Sequence, residues 1–88
     1  KAALLYSESK DLAQTATFDH CTFNASAPAA GKAAIEIDSR FTSYDVNINN
    51  CVETGFAPGS VSGNSLWNQK DGNKTNLWVD GVQKLTRE

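Results

Sequence analysis

The 88 residues hold no apolar run long enough to cross a membrane or to form the core of a signal peptide. The longest near the start is Ala2 to Tyr6. A basic run is missing too, because Lys and Arg are scattered singly from Lys1 to Arg87. With a net charge of −2 and a pI near 5.2, the chain is poorly suited to a nucleic-acid backbone or an anionic membrane. Histidine and cysteine are scarce. His20, Cys21 and Cys51 cannot supply the four closely spaced ligands of a zinc site, so no metal or cofactor is expected. No acid, base and nucleophile converge in the pattern, so no enzyme activity is expected either. Helical periodicity is absent after residue 15, and Ser9 to Thr15 is at most a helical turn. The chain begins at Lys1 rather than Met and is expected to be a piece of a larger protein.

What the sequence does contain is a repeat, the first feature to look for in a short β-rich chain. One motif reads Phe18-Asp19-His20-Cys21, then Ile48-Asn49-Asn50-Cys51, then Val79-Asp80-Gly81-Val82. Its steps from Phe18 to Ile48 to Val79 are 30 and 31 residues. A second motif reads Ala2-Ala3-Leu4-Leu5-Tyr6, then Ala33-Ala34-Ile35-Glu36-Ile37, then more weakly Asn64-Ser65-Leu66-Trp67-Asn68. Its steps from Leu4 to Ile35 to Leu66 are both 31. Each motif alternates apolar and polar residues, as in Val46-Asn47-Ile48-Asn49, the pattern of a half-buried strand. Breakers separate the strands at Ala27 to Gly31, Gly55 to Gly59 and Asp71 to Asn73.

Two motifs sharing one period predict stacked units, about 1–31, 32–62 and 63–88, forming one module over 1–88. The expected class is all-β, a right-handed parallel β-helix of about three coils. Phe18, Ile48 and Val79 should stack in one inward ladder, Cys21, Cys51 and Val82 in the next, and His20, Asn50 and Gly81 at a bend. Cys21 and Cys51 on adjacent rungs would lie about 4.8 Å apart at Cα. That separation leaves both reduced core cysteines and a disulfide open. In this register Trp67 aligns with Glu36 and Leu5, and Trp78 with Asn47 and Thr17. Both indoles then face outward, where they could stack on sugar rings, form a protein interface or cap the stack. A one-residue slip would instead carry Trp67 into the core. Asn24-Ala25-Ser26 and Asn73-Lys74-Thr75 are glycosylation acceptors only in a eukaryotic secretory pathway.

The phrases Thr17-Phe18-Asp19-His20-Cys21-Thr22-Phe23, Ala33-Ala34-Ile35-Glu36-Ile37 and Val46-Asn47-Ile48-Asn49-Asn50-Cys51 resemble pectate-lyase-like right-handed β-helix repeats. Gly63-Asn64-Ser65-Leu66-Trp67-Asn68-Gln69 with Val79-Asp80-Gly81-Val82 resembles their closing coil. Such repeats occur in secreted and surface proteins of bacteria, particularly gut anaerobes. The resemblance covers roughly residues 16–83 and implies an extracellular or cell-surface module, structural, adhesive or ligand-binding. A fragment of a polysaccharide-degrading β-helix enzyme and a small secreted effector with one disulfide are the alternatives. Enzymes of that class hold calcium with aspartates on one sheet beside an arginine base. Here Asp19, Asp80, Glu36 and Asp38 lie near only Arg40 and Lys70 as basic residues, and the expected role of these acids is a solvated face. The candidate ligand-binding residues are Trp67, Trp78, Asp19 and Asp80, with carbohydrate a possible ligand. The expected partner is a set of upstream coils or another protein copy, at an N-terminal end left open around Leu4, Leu5, Phe18 and Phe23.

Overall fold

The computed structural model describes residues 1–10, 12–29, 31–57, 62–71 and 74–88. The breakers expected at Pro58-Gly59 and Gly72-Asn73, and the sequon at Asn73, lie outside the described residues. The described chain is all-β and contains ten strands and no helix. In order they are β1 (Ala3–Leu5), β2 (Ala13–Asp19), β3 (Thr22–Ala29), β4 (Ile35–Asp38), β5 (Ser43–Asn49), β6 (Val52–Phe56), β7 (Ser62–Gly63), β8 (Trp67–Asp71), β9 (Thr75–Val79) and β10 (Val82–Leu85). They form three small sheets, ordered β1-β4-β8-β7, β10-β9-β5-β2 and β3-β6.

Strands one repeat apart pair in parallel in every sheet. In the second sheet Phe18 pairs with Ile48 and Ile48 with Val79, at the steps of 30 and 31 that the motif predicts. In the third, Thr22 pairs with Val52. The first sheet departs from the expected register, because Ala3 pairs with Ile35 and Ile35 with Trp67, steps of 32. That one extra residue exchanges the two faces of the strand. Leu4 goes outward beside Glu36 and Asn68 and is 49% exposed, whereas Trp67 falls beside Ile35 in the core at 7%. The outward position expected for Trp67 is therefore corrected. Indole burial outweighs a tidy 31-residue step, since a large aromatic left on the surface forgoes roughly 1.5–3 kcal/mol.

The core belongs mostly to the second unit. Ile35, Ile37, Tyr44, Val46 and Ile48 are buried, joined by Trp67 and Leu77 from the third. β5 alternates half-buried and buried residues along its whole length, as its sequence predicts. Its neighbours cover it from both sides, whereas Ala3, Leu5, Phe18 and Phe23 of the first unit are only partly buried. Phe18 and Phe23 meet edge to face at 6.1 Å. β3 continues to Ala29, through the Pro28 that reads as a breaker, because an outer strand tolerates a missing N–H.

Bends are held by polar groups that link units. Between the first and second sheets the buried Thr42 hydroxyl donates to the Ser9 carbonyl at 2.6 Å, and the Lys74 N–H donates to Ser39 Oγ at 3.2 Å. Between the second and third sheets His20 and Asn50 take left-handed backbone (φ 54° and 53°). Asn and His are among the few residue types that enter that region at modest cost.

The third unit does not repeat this bend. Asp80 and Gly81 both have positive φ (49° and 81°), and two such residues in succession make the tight turn of a β-hairpin. The chain reverses, so Val82 pairs antiparallel with Val79 instead of stacking on Cys51. The expected ladder of Cys21, Cys51 and Val82 is thus corrected at its third member, and Val82 is 56% exposed. The carboxylate of Asp80 accepts the Asn50 N–H at 2.7 Å and ties this hairpin to the bend of the second unit. On the first sheet β7 likewise adds antiparallel to β8.

Candidate functional site

The sheet orders make the two sets of edge strands different. On one side β1, β2 and β3 are the outer strands of all three sheets, and all belong to the first unit. Among the described residues nothing pairs with their outer edges. On the other side β7 and β10 cover two of the three sheets with antiparallel strands, and β6 is the outer strand of the third. Glu53 of β6 turns its half-buried carboxylate to the Phe56 N–H at 3.2 Å and the Ser65 hydroxyl at 2.7 Å. That carboxylate satisfies backbone where the third unit lacks a matching strand. The first unit carries the half-buried Ala3, Leu5, Phe18 and Phe23 along the open side, with Leu4 and Leu12 exposed at 49% and 39%.

The four residues expected to bind a ligand are not brought together. Trp67 is in the core. Trp78 is half-buried on the outward face of the second sheet, in a row with Asn47 and Thr17 as the register predicts, and with Gln83 of β10. Asp19 begins the same face at its far corner and meets His20 Nδ1 at 2.9 Å. Asp80 is engaged with the Asn50 N–H.

Next to Trp78 is a network that sequence patterning did not single out. Arg87 Nη2 donates to Asp45 Oδ1 at 2.8 Å and to the Tyr44 carbonyl at 3.1 Å, while Asn76 Nδ2 donates to the same carboxylate at 2.9 Å. The register Asp45↔Asn76 joins two of the three members, but Arg87 follows β10 and no period could have announced it. Asp38 and Arg40, candidates for an acid and base, form a closed pair instead. Arg40 grips the buried Asp38 carboxylate through Nε and Nη2, each at 3.0 Å. Its guanidinium also stacks over Tyr6 and Phe41, 5.3 and 5.6 Å from their ring centres. Glu36 pairs with Lys1 at 3.0 Å. Among the described residues no three His, Cys, Asp or Glu groups could hold a metal ion, and no catalytic constellation is recognisable.

Cys21 and Cys51 are both half-exposed free thiols. Cys51 Sγ lies 3.4 Å from the carbonyls of Phe18 and Asn49, and Cys21 Sγ lies 3.7 Å from that of Asp19. Burial pushes the Cys51 thiol up from its ordinary value, and the neighbouring Cys21 thiol adds to the rise. Hydrogen bonding from the backbone at Cys21 and Asn49 works in the opposite direction.

No protein-family model, curated protein or solved structure matches the chain.

Proposed function

We propose that this chain is an end-closing module of a right-handed parallel β-helix, and that its open side receives a further parallel coil of the same pitch. The role is structural or adhesive, in a secreted or surface protein of the bacterial β-helix type that the repeats resemble. One observation carries the reading: one edge strand of each sheet, β1, β2 and β3, comes from the first unit, whereas on the opposite side two sheets end in antiparallel strands. An incoming coil running parallel would extend three pairings already set by β1/β4, β2/β5 and β3/β6. A second copy related by a two-fold axis would have to set β1 antiparallel to itself and β2 against β3, a different pattern in every sheet. Right-handed winding follows from the strong preference of parallel crossover connections.

The test is to place an extra copy of residues 1–31 before Lys1 or after Glu88. Added in front, it should slow amide hydrogen exchange in β1, β2 and β3 of the parent unit. Added behind, it should stay unprotected, because the hairpins block stacking there. If the leading copy exchanges freely and the β1–β3 amides are unchanged, the reading fails.

A carbohydrate-binding reading draws on the row Thr17, Asn47, Trp78 and Gln83, an aromatic plane flanked by hydroxyl and amide groups. Tryptophan fluorescence that shifts on adding soluble polysaccharide, and stops shifting in Trp78→Ala, would support it. An unshifted spectrum across neutral and acidic polysaccharides removes it.

A further inference from the structure

The two cysteines stand where the parallel register brings successive units closest in kind. Thr22 pairs with Val52, and the Val52 N–H donates to the Cys21 carbonyl at 3.0 Å. Both cysteines follow a left-handed residue, His20 or Asn50, so the two side chains leave equivalent bends in the same direction. Neighbouring strands lie about 4.8 Å apart, inside the Cα separation that a disulfide spans. Cys51 Sγ reaches across from the second unit to the Phe18 carbonyl at 3.4 Å, which brings it to the strand that leads into Cys21.

We propose that Cys21 and Cys51 form a thiol–disulfide exchange site, whose reaction with a low-molecular-weight disulfide such as oxidised glutathione staples the first unit to the second. The proposal is independent of the stacking reading. Cys21 reacts first, since its sulfur has one carbonyl neighbour and belongs to the outer unit, whereas Cys51 is held between two carbonyls. The Cys21 thiolate attacks one glutathione sulfur, the glutathione S–S bond breaks, and one glutathione thiolate leaves. The Cys51 thiolate then attacks the Cys21 sulfur of the mixed disulfide and expels the second glutathione thiolate. The protein loses two thiol protons and two electrons, and both pass to the pair of glutathiones.

The new bond acts where the fold is weakest. The first unit is packed on one side only, so it is the unit expected to open locally before the rest. Joining Cys21 to Cys51 ties β2 and β3 to β5 and β6 and also shortens the free loops of the unfolded chain.

The test incubates the intact chain at low concentration in a buffer of reduced and oxidised glutathione. The expected product is a monomer lighter by two hydrogens, with a melting temperature raised by roughly 10 °C. Amide exchange in β2 and β3 should slow at least about tenfold relative to the reduced chain. Cys51→Ser should stop at the mixed disulfide on Cys21. A persistent mixed disulfide on the unmutated chain, cross-linked dimers in place of the monomer, or an internal disulfide that leaves melting unchanged or lower would each overturn the proposal.

Discussion

At the scale of the residue, position in the sheet decides what a side chain is worth. Ile48 is fully buried between Phe18 and Val79, so Ile48→Ala removes apolar contact on both sides and leaves a cavity. The expected loss is about 2–5 kcal/mol by denaturant titration. Val52 sits four positions later yet is 59% exposed, and Val52→Ala should stay within about 0.5 kcal/mol. Equal losses at the two sites would contradict the assigned faces. Tyr44 adds a pH signature. Burial first, and the Asp38 carboxylate second, raise its pKa above the ordinary 10.0. The folded chain therefore holds the phenol neutral more firmly than the unfolded chain does. That contribution is complete below pH 10.0 and is lost as pH climbs through the raised folded value. Urea midpoints measured from about pH 9 to about pH 11 should fall, and less steeply in Tyr44→Phe. An unchanged slope in that variant would assign the alkaline loss to other groups.

At the scale of the element, the sequence carried the strands and the pitch of the second sheet but not the departures from it. Phe18, Ile48 and Val79 could be aligned because motif and spacing agree, and they pair as aligned. The first sheet steps by 32 instead of 31, a difference invisible to a pattern in which Leu4 and Leu5 are both apolar. Only the burial of Ile35, Ile37 and Trp67 on one face settles which leucine points in. The reversal at Asp80-Gly81 was legible in principle, as Asp-Gly between apolar residues is a strong hairpin signal. Reading Val79-Asp80-Gly81-Val82 as a third copy of the bend motif masked it. Two glycines with positive φ, one in the hairpin turn and one within β6, also respond differently to a methyl group. Gly81 has positive φ but open space around it, so Gly81→Ala should cost on the order of 1 kcal/mol and loosen β10. Gly55 has positive φ as well, and an added Cβ would come within 3.1 Å of Ala25 Cβ and 3.3 Å of the Ala25 carbonyl. Gly55→Ala should therefore be the costlier, and its effect should centre on the β3/β6 pairing. Thermal melts that reverse this order would mean that the β3/β6 contact yields easily.

At the scale of the whole molecule, the asymmetry of the two sides predicts how copies of the isolated chain meet. Head-to-tail growth needs a parallel-running edge at both ends, and on two sheets β7 and β10 present reversed strands instead. With no parallel coil supplied, the available surface is the open side, where Leu5, Phe18 and Phe23 are incompletely covered and Leu4 and Leu12 are exposed. Covering such side chains stabilises by roughly 1.5–3 kcal/mol each when burial is full. Unpaired strand edges beside them favour association. Two open sides facing each other leave outward only β6 and the short antiparallel strands β7 and β10, so association should stop at the dimer. Sedimentation at rising concentration should show a reversible monomer–dimer equilibrium without larger species. Thr17→Pro is the matched control. The His20 N–H points to the Asn49 carbonyl, so by strand alternation the Thr17 N–H points to the free edge, and its removal spares the β2/β5 pairing. That variant should keep the parent's melting temperature at low concentration while its dimer weakens about tenfold, the worth of one lost edge hydrogen bond. A chain that stays a monodisperse, cooperatively melting monomer at high concentration would show that the open side is stable bare, and the case for a missing coil would go with it.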